Sequence, residues 1–294
     1  MTITAETFSR SAQDYRTPEL LQDIRLLDLL ELSGTTVQAG DLLNLSQPTV
    51  SRRYRKLAQE FALKRQPRER KSCRYGSTDA MRWLRLGYRA HRLAAGVARI
   101  GADLMHQPLL AGMDWLLTAP PRFRPIETWA ELVSQGILDG AIVSGLEFQG
   151  ADLADSRDLE LLRLGRLPLT LMAAAHGAPQ SGTMPPPVLV PDRCVAQGLW
   201  RSLSRLGLHL KTAGPTCQST TDWLGRLKRS TLAMPVPELD ATSWWQPLQQ
   251  LPLPEPVYLP TWLVLPIEWR HQPTLVHTAE ELRCHPGFCS RGET

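Results

Sequence analysis

Apolar residues in the first third of the chain recur at helical intervals. Leu20, Ile24 and Leu27 share one face, widened by Leu21, Leu26, Leu29 and Leu30, with Thr17 as a cap and Pro18 at the first helical position. Gly34 stops this helix, and the pattern predicts a short second helix over residues 36–43 and a third over 47–61. In the third, Val50, Tyr54, Leu57 and Phe61 form a core stripe, while Ser51, Arg52, Arg55, Lys56 and Gln59 lie opposite. Joined by a turn at 44–46, these helices describe an N-terminal all-α helix-turn-helix. Residues 64–76 are rich in Lys and Arg, broken by Pro67 and Gly76, and read as a basic hairpin or wing.

A long linker helix is predicted next, from Thr78 as cap to about Met105, ended by Pro108. One apolar seam holds Leu86, Ala90, Leu93, Val97, Ile100 and Leu104 at heptad-like spacing. A second holds Met81, Leu84, Tyr88, His91, Ala95, Ala98, Ala102 and Met105. Two seams need two neighbours, so one is expected to meet the same helix of a second subunit. Gly87, Gly96 and Gly101 weaken such a helix by roughly 1 kcal/mol each. Arg82, Arg85, Arg89, Arg92 and Arg99 lie between the seams, as a solvated stripe or as partners for acidic residues further along.

Past residue 113 the period changes. Strands are expected at 115–119, 140–144, 167–174 and 187–191, with extended segments at 231–235 and 258–267. Helices are expected at 127–136, 195–207, 220–230 and 278–284, and residues 247–260 as an irregular Pro-rich connection. The alternation predicts an α/β domain. The expected organisation is a DNA-binding-type domain over 1–77, the linker and dimerisation helix over 78–107, the α/β domain over 113–285 and a tail over 286–294.

Composition sharpens this division. Residues 1–112 hold 18 Lys and Arg against 11 Asp and Glu, whereas residues 113–294 hold 15 against 18. Between Arg52 and Arg99 there are 15 basic residues and 3 acidic ones, a density that attracts polyanions. Hydrophobic residues at 43% and charged residues at 21% suit a globular protein. No apolar run reaches the roughly 18–20 residues that span a bilayer, and residues 1–16 lack the apolar core of an export signal. Five scattered cysteines fit reduced thiols better than a disulfide framework, so a cytoplasmic protein with no membrane association is expected.

Residues 34–51, G-T-T-V-Q-A-G-D-L-L-N-L-S-Q-P-T-V-S, followed by R-R-Y-R-K-L, resemble the DNA-binding domain of LysR-type transcriptional regulators, with Leu45, Ser46, Gln47, Pro48, Val50, Ser51 and Leu57 in register. Residues 136–144, 167–179 and 261–270 are similar, more patchily, to that family's periplasmic-binding-protein-like effector domain. Only about 22 residues separate the 115–119 strand from the one at 141–143, so one effector subdomain reads as shortened.

The resemblance implies a winged helix-turn-helix on double-stranded DNA, working as a homodimer or homotetramer with RNA polymerase as a further partner. In that docking mode the start of the third helix enters the major groove. Gln47 then presents its amide to adenine and Thr49 its hydroxyl and methyl to base edges. Thr36, Ser46, Ser51, Arg52, Arg55 and Lys56 are placed for backbone contacts beside Pro48, and Arg68, Arg70, Lys71 and Arg74 extend the surface onto the wing. Neutralising about six phosphates predicts a roughly thousandfold or greater loss of affinity between about 50 and 200 mM salt.

Thr118 ends a strand where the family often places a hydroxyl for its effector, and Ser144, Thr216 and Ser219 are secondary candidates for a small-molecule ligand. No Gly-rich phosphate loop, nucleophile elbow or H-E-x-x-H pattern supports catalysis, and no cofactor is implied. His271, His277, Cys284, His285 and Cys289 match no common zinc spacing, so no metal is expected. The sequence thus points to a sequence-specific, effector-responsive transcriptional regulator. The alternative is a DNA-anchored interaction or oligomerisation protein whose shortened second domain binds no metabolite.

Overall fold

The computed structural model describes residues 11–66, 73–117, 119–148, 158–174, 186–214, 219–239 and 248–289. The chain forms an N-terminal helical domain and a C-terminal mixed α/β domain. The wing residues Arg68, Arg70 and Lys71, and the ligand candidates Thr118 and Thr216, lie outside the described residues.

A short 3-10 helix, Glu19–Leu21, leads into α1 (Gln22–Ser33). Thr17 does not cap it: its hydroxyl bonds to the Tyr88 hydroxyl at 3.1 Å, tying the incoming chain to another helix. Helix α2 (Thr36–Leu43) is capped by Thr35, whose side chain accepts from the Gln38 N–H. Asn44, in the left-handed region at φ 54°, turns the chain. Helix α3 (Gln47–Glu60) is capped by Ser46, with Pro48 in its first turn, where no N–H partner is required. Val50 and Leu57 are buried, the first with Leu26, Leu30 and Ala39, the second with Ile24 and Leu27.

Helix α4 (Asp79–Ala94) is shorter than the periodicity predicts. Gly96 adopts φ +77°; its N–H donates to the Leu93 carbonyl, and the Val97 N–H donates to the Arg92 carbonyl. This Schellman closure satisfies the last carbonyls and turns the chain away from the helix axis. The expected seam is therefore cut. Val97, Ile100 and Leu104 are 0%, 2% and 2% exposed inside this chain, and Leu93 is buried too. Only Leu86 and Ala90 stay on α4 and partly accessible. The apolar repeat continued past residue 95 because those residues fill a sheet-bearing core.

That sheet runs β1 (Ile100–Gly101), β2 (Gly140–Ser144), β8 (Tyr258–Pro266), β3 (Leu159–Ala174), β6 (Ala233–Pro237), β4 (Val188–Val190) and β5 (Leu210–Thr212). Strand β7 (Leu248–Leu251) pairs with the far end of β3. The β1–β2 and β6–β4–β5 pairs are parallel, while those through β8 and β3 are antiparallel. The 16-residue β3 crosses two lobes: Leu159–Pro168 pairs with β8, and Leu169–Ala174 with β6 and β7. Helices α5 (Ile126–Ser134) and α8 (Pro273–Arg283) belong to the first lobe, and α6 (Gln197–Arg205) and α7 (Thr220–Lys228) to the second.

Two expectations fail here. Residues 115–117 form no strand; Leu116 makes only an isolated bridge to Ala98, because Ile100–Gly101 takes the sheet position beside β2. Residues 247–260 are not wholly irregular, since their ends contribute β7 and the start of β8. No helix among the described residues is long and apolar enough to cross a membrane.

The two domains meet through buried charge. Asp28 of α1 accepts from Arg85 Nε at 3.0 Å and pairs with Arg99 Nη1 at 3.3 Å. Asp139, just before β2, pairs with Arg92 at 2.6 Å and Arg89 at 3.4 Å and accepts from the Arg99 backbone N–H at 2.7 Å. The arginine stripe is therefore buried and ion-paired, except for the exposed Arg82: Arg89 and Arg92 meet an acidic residue further along, as expected, while Arg85 and Arg99 pair instead with Asp28, which precedes them.

Candidate nucleic-acid interface

The local fold sets out one continuous polar face on α3. Burial of Val50 and Leu57 turns Arg52, Arg55 and Lys56 outward, where all three are exposed. Ser46, Gln47 and Pro48 are exposed at the helix start, and Thr49 and Ser51 are half-buried. The Gln47 amide Nε2 donates to Thr36 Oγ1 at 3.1 Å and to Ser51 Oγ at 3.2 Å, so hydroxyls from two helices orient it. Ser46 is occupied as the cap: its Oγ accepts from the Thr49 N–H and lies 2.9 Å from the Thr49 hydroxyl. The start of the helix adds the positive end of its dipole, which suits an anion.

A groove lined by Thr36, Gln47, Ser51, Arg55, Arg65 and Arg74 runs beside this face, with Tyr54 and Tyr75 as its floor. The residues after the basic segment are held by Glu31, whose carboxylate accepts from the Arg74 N–H at 2.8 Å and the Tyr75 N–H at 2.9 Å. Tyr54 meets Tyr75 edge-on at 5.2 Å. Arg74 departs from its expected role: its guanidinium donates to the Gly34 carbonyl at 3.0 Å and caps the end of α1 instead of projecting freely. Exposed Arg65 lies over the Tyr75 ring at 5.3 Å and adds a cation at this groove that the sequence reading had not assigned to it.

The second candidate region is the cleft between the α/β lobes. Asp103, His106, Phe123, Arg124, Trp129, Ser144, Glu147 and Leu199 line it, and about 30 Å³ of space remains, room for roughly two waters. Glu147 accepts from the Gly198 and Leu199 N–H groups at 2.9 and 3.0 Å, occupying the start of α6 with the protein's own carboxylate. Burial pushes the Glu147 carboxyl up, against the lowering effect of those two bonds. Ser144 reaches this cleft but accepts from the Leu146 N–H. Ser219 does not line it; it forms a capping box with Asp222 at the start of α7. His106, fully buried, pairs with Asp103 at 2.8 Å.

Sequence reasoning missed Arg122 and Arg124. From the α/β domain they donate to the Ser33, Glu31 and Leu32 carbonyls at the end of α1. Arg124 also lies over Trp129, and desolvation lowers its pKa to about 10. The Pro-rich surroundings of these two residues carried no helical period that would have marked them. Among the described residues no group of three His, Cys, Asp or Glu is placed to hold a metal ion; His277 stacks on Trp115, and His285 faces Phe288.

No family model and no curated protein matches the chain. Among solved structures it is similar to a full-length OxyR variant from Pseudomonas aeruginosa, at 14% identity and a TM-score of 0.48 over 92% of this chain and 99% of that one. It is also similar to full-length CbnR in complex with its target DNA, at 14% identity and a TM-score of 0.49, covering 90% and 98%. ArgP from Mycobacterium tuberculosis is similar at 15% identity and a TM-score of 0.48, covering 89% and 95%.

Proposed function

We propose that the chain is a LysR-type transcriptional regulator: a winged helix-turn-helix binds a specific double-stranded DNA site, and a periplasmic-binding-protein-like domain senses a small molecule. The observation that carries this reading is the exposed face of α3. Gln47 is oriented by Thr36 and Ser51 at the helix start, and Arg52, Arg55 and Lys56 flank it within reach of a phosphate backbone. A glutamine held in this way turns its free amide oxygen towards a base edge that donates, such as the adenine N6 amino group, while the cations fix register. The two lobes carried on β3 suit the sensing role only once they part, since about 30 Å³ stays open in the cleft between them.

Self-association belongs to the same reading. With the long seam cut at Gly96, the surface left for a second copy is the outer face of α4. There Trp83 is 69% exposed, beside Gly87 and the partly accessible Leu86 and Ala90. Two copies joined there present two α3 helices to a pseudo-palindromic site.

The test is selection of genomic duplex fragments by the purified protein across a salt series, followed by sequencing. A pseudo-palindromic motif should be enriched at high salt. Gln47→Ala should lower discrimination at one base step by about 1–3 kcal/mol, and Arg52→Ala should weaken all sequences alike and reduce the salt slope by about 1. Binding that enriches nothing and fades uniformly with salt would refute sequence-specific recognition.

A further inference from the structure

Arg65, exposed beside the α3 face, owes its place to a chain of contacts that ends in the other domain. Its guanidinium lies over the Tyr75 ring at 5.3 Å. The stretch that carries Arg65 is tied to the stretch that carries Tyr75, since the Gln66 N–H donates to the Arg74 carbonyl at 2.8 Å. Gly76, at φ +97°, lets the two limbs approach closely: a Cβ there would stand 2.8 Å from Leu63 Cβ. Residues 63–66 and 73–76 are thereby held as one piece.

That piece has a seat in each domain. In the helical domain, the Glu31 carboxylate takes the Arg74 and Tyr75 N–H groups. In the α/β domain it rests on α5. The Cys73 N–H donates to Glu131 Oε1 at 3.4 Å, and the Ser77 hydroxyl donates to Gln135 Oε1 at 2.7 Å. Gln135 is the C-cap residue of α5, one turn on from Glu131, so the two acceptors stand on one side of the helix. Cys73 itself is 4% exposed and shares one core with Trp129 and Val133 of α5 and with Leu29 and Leu32 of α1. A backbone donor drawn into such a core requires its acceptor, and Glu131 supplies it.

We propose that Glu131 and Gln135 are positioning residues for the DNA-reading groove. By seating residues 73–77 they hold Tyr75 under Arg65, and so hold the Arg65 cation within reach of a phosphate. The inference rests on the DNA-binding reading. It makes the α/β domain a structural part of the groove, so a displacement of α5 is passed to a cation on the far side of the domain boundary.

The experiment is a mutant cycle on the full chain, with affinity for a duplex of mixed sequence measured across a salt series. Arg65→Ala alone should weaken binding about tenfold and reduce the salt slope by about 1. Glu131→Ala combined with Gln135→Ala should do the same, and adding Arg65→Ala to that pair should cost less than about twofold more. Arg52→Ala, whose cation is carried by α3, should keep its full cost in both backgrounds. If Arg65→Ala costs as much in the pair as in the wild type, α5 does not position it and the proposal is overturned. Ser77→Ala, at an exposed position, removes one of the two bonds without touching α5 and should give a smaller shift in the same direction, so a pair that fails to fold leaves the test intact. Amide hydrogen exchange without DNA is the second readout. Exchange at Cys73, Arg74 and Tyr75 should quicken about tenfold in the pair, with the α3 amides at wild-type rates; unchanged exchange at the three overturns the proposal. A wild-type chain that binds no duplex, with exchange quickened as expected in the pair, instead refutes the DNA-binding reading on which the proposal rests.

Discussion

Asp139 shows how much one carboxylate can hold in this molecule. It is fully buried, receives Arg89 and Arg92 from α4, and accepts the Arg99 backbone N–H that starts the path into β1. Burial works against its ionised form, but the guanidinium of Arg92 and its hydrogen bonds outweigh that, keeping the carboxyl below its ordinary range. Asp139→Asn keeps the volume and removes the charge, stranding two buried guanidiniums. It should lower stability by about 3–5 kcal/mol, read as a drop in urea midpoint at unchanged m-value; a loss below about 1 kcal/mol would show that the network contributes little. Gln47 is a smaller case of the same dependence. Thr36→Val removes one of the two hydroxyls that orient its amide, so base discrimination should fall several-fold with no change in the salt slope, because no cation is lost. An equal fall for all sequences would place Thr36 on the phosphate backbone instead.

Among the elements, α4 marks the limit of periodicity as a guide. Helices α2 and α3 were legible because each carries local boundary signals: Thr35 and Asn44 at the two ends of one, Ser46 and Pro48 at the start of the other. In α4 the apolar repeat ran on through Val97, Ile100 and Leu104, and the stop signal at Gly96 read as a mere weak point. Heptad spacing cannot distinguish a helix that meets a second chain from one followed by a buried strand, since both require apolar residues at similar intervals. The reading of α5, β2, β4 and α7 came close to the observed elements, each of them short and bounded by local signals. Strand β1 has two residues, too few to show alternation. On the candidate site, the α3 residues were legible from a local motif, whereas Arg122, Arg124, Asp28 and Asp139 meet through sequence separations that no local pattern encodes. Gly96→Ala should destabilise the protein by about 1–2 kcal/mol, since an L-residue is strained at φ +77°. A neutral or stabilising effect, with helix content rising in circular dichroism, would mean that α4 extends in solution. Trp83→Arg, on the outer face, should shift sedimentation towards the monomer without lowering the thermal midpoint of the monomer; unaltered sedimentation would remove that face as the contact between copies.

At the scale of the whole molecule, each domain caps a helix of its neighbour. Arg89 and Arg92 of α4 donate to the Val133 carbonyl in the last turn of α5 and to the Gly136 and Leu138 carbonyls just beyond it, and Arg122 and Arg124 donate to the carbonyls that end α1. Cations at helix C-termini are favourable partners, and here they are buried on the α4 side of one junction and half-buried on the other, so stability depends on the ionisation of that junction. Six groups set the acid response. The Cys194 N–H holds the Asp192 carboxyl below its ordinary range, and desolvation lowers His285, which opposes folding once charged. Burial raises the Asp28, Glu131 and Glu147 carboxyls above their ordinary values, whereas Asp139 is held below its own. A raised carboxyl opposes folding while it is charged, so these three release that opposition as pH falls towards the ordinary carboxylate range. Asp139 contributes its full stabilisation above the ordinary value of 3.8 and loses it as pH falls further. The thermal midpoint at constant ionic strength should therefore hold or rise from neutral pH down to about pH 4–5 and fall steeply below it. A steady decline between neutral pH and that point would contradict this balance. Glu147→Gln removes one of the opposing charges but keeps an acceptor for only one of the Gly198 and Leu199 N–H groups, which bond to different carboxylate oxygens; it should flatten the upper limb of the pH profile, leaving the steep acid limb where Asp139 sets it.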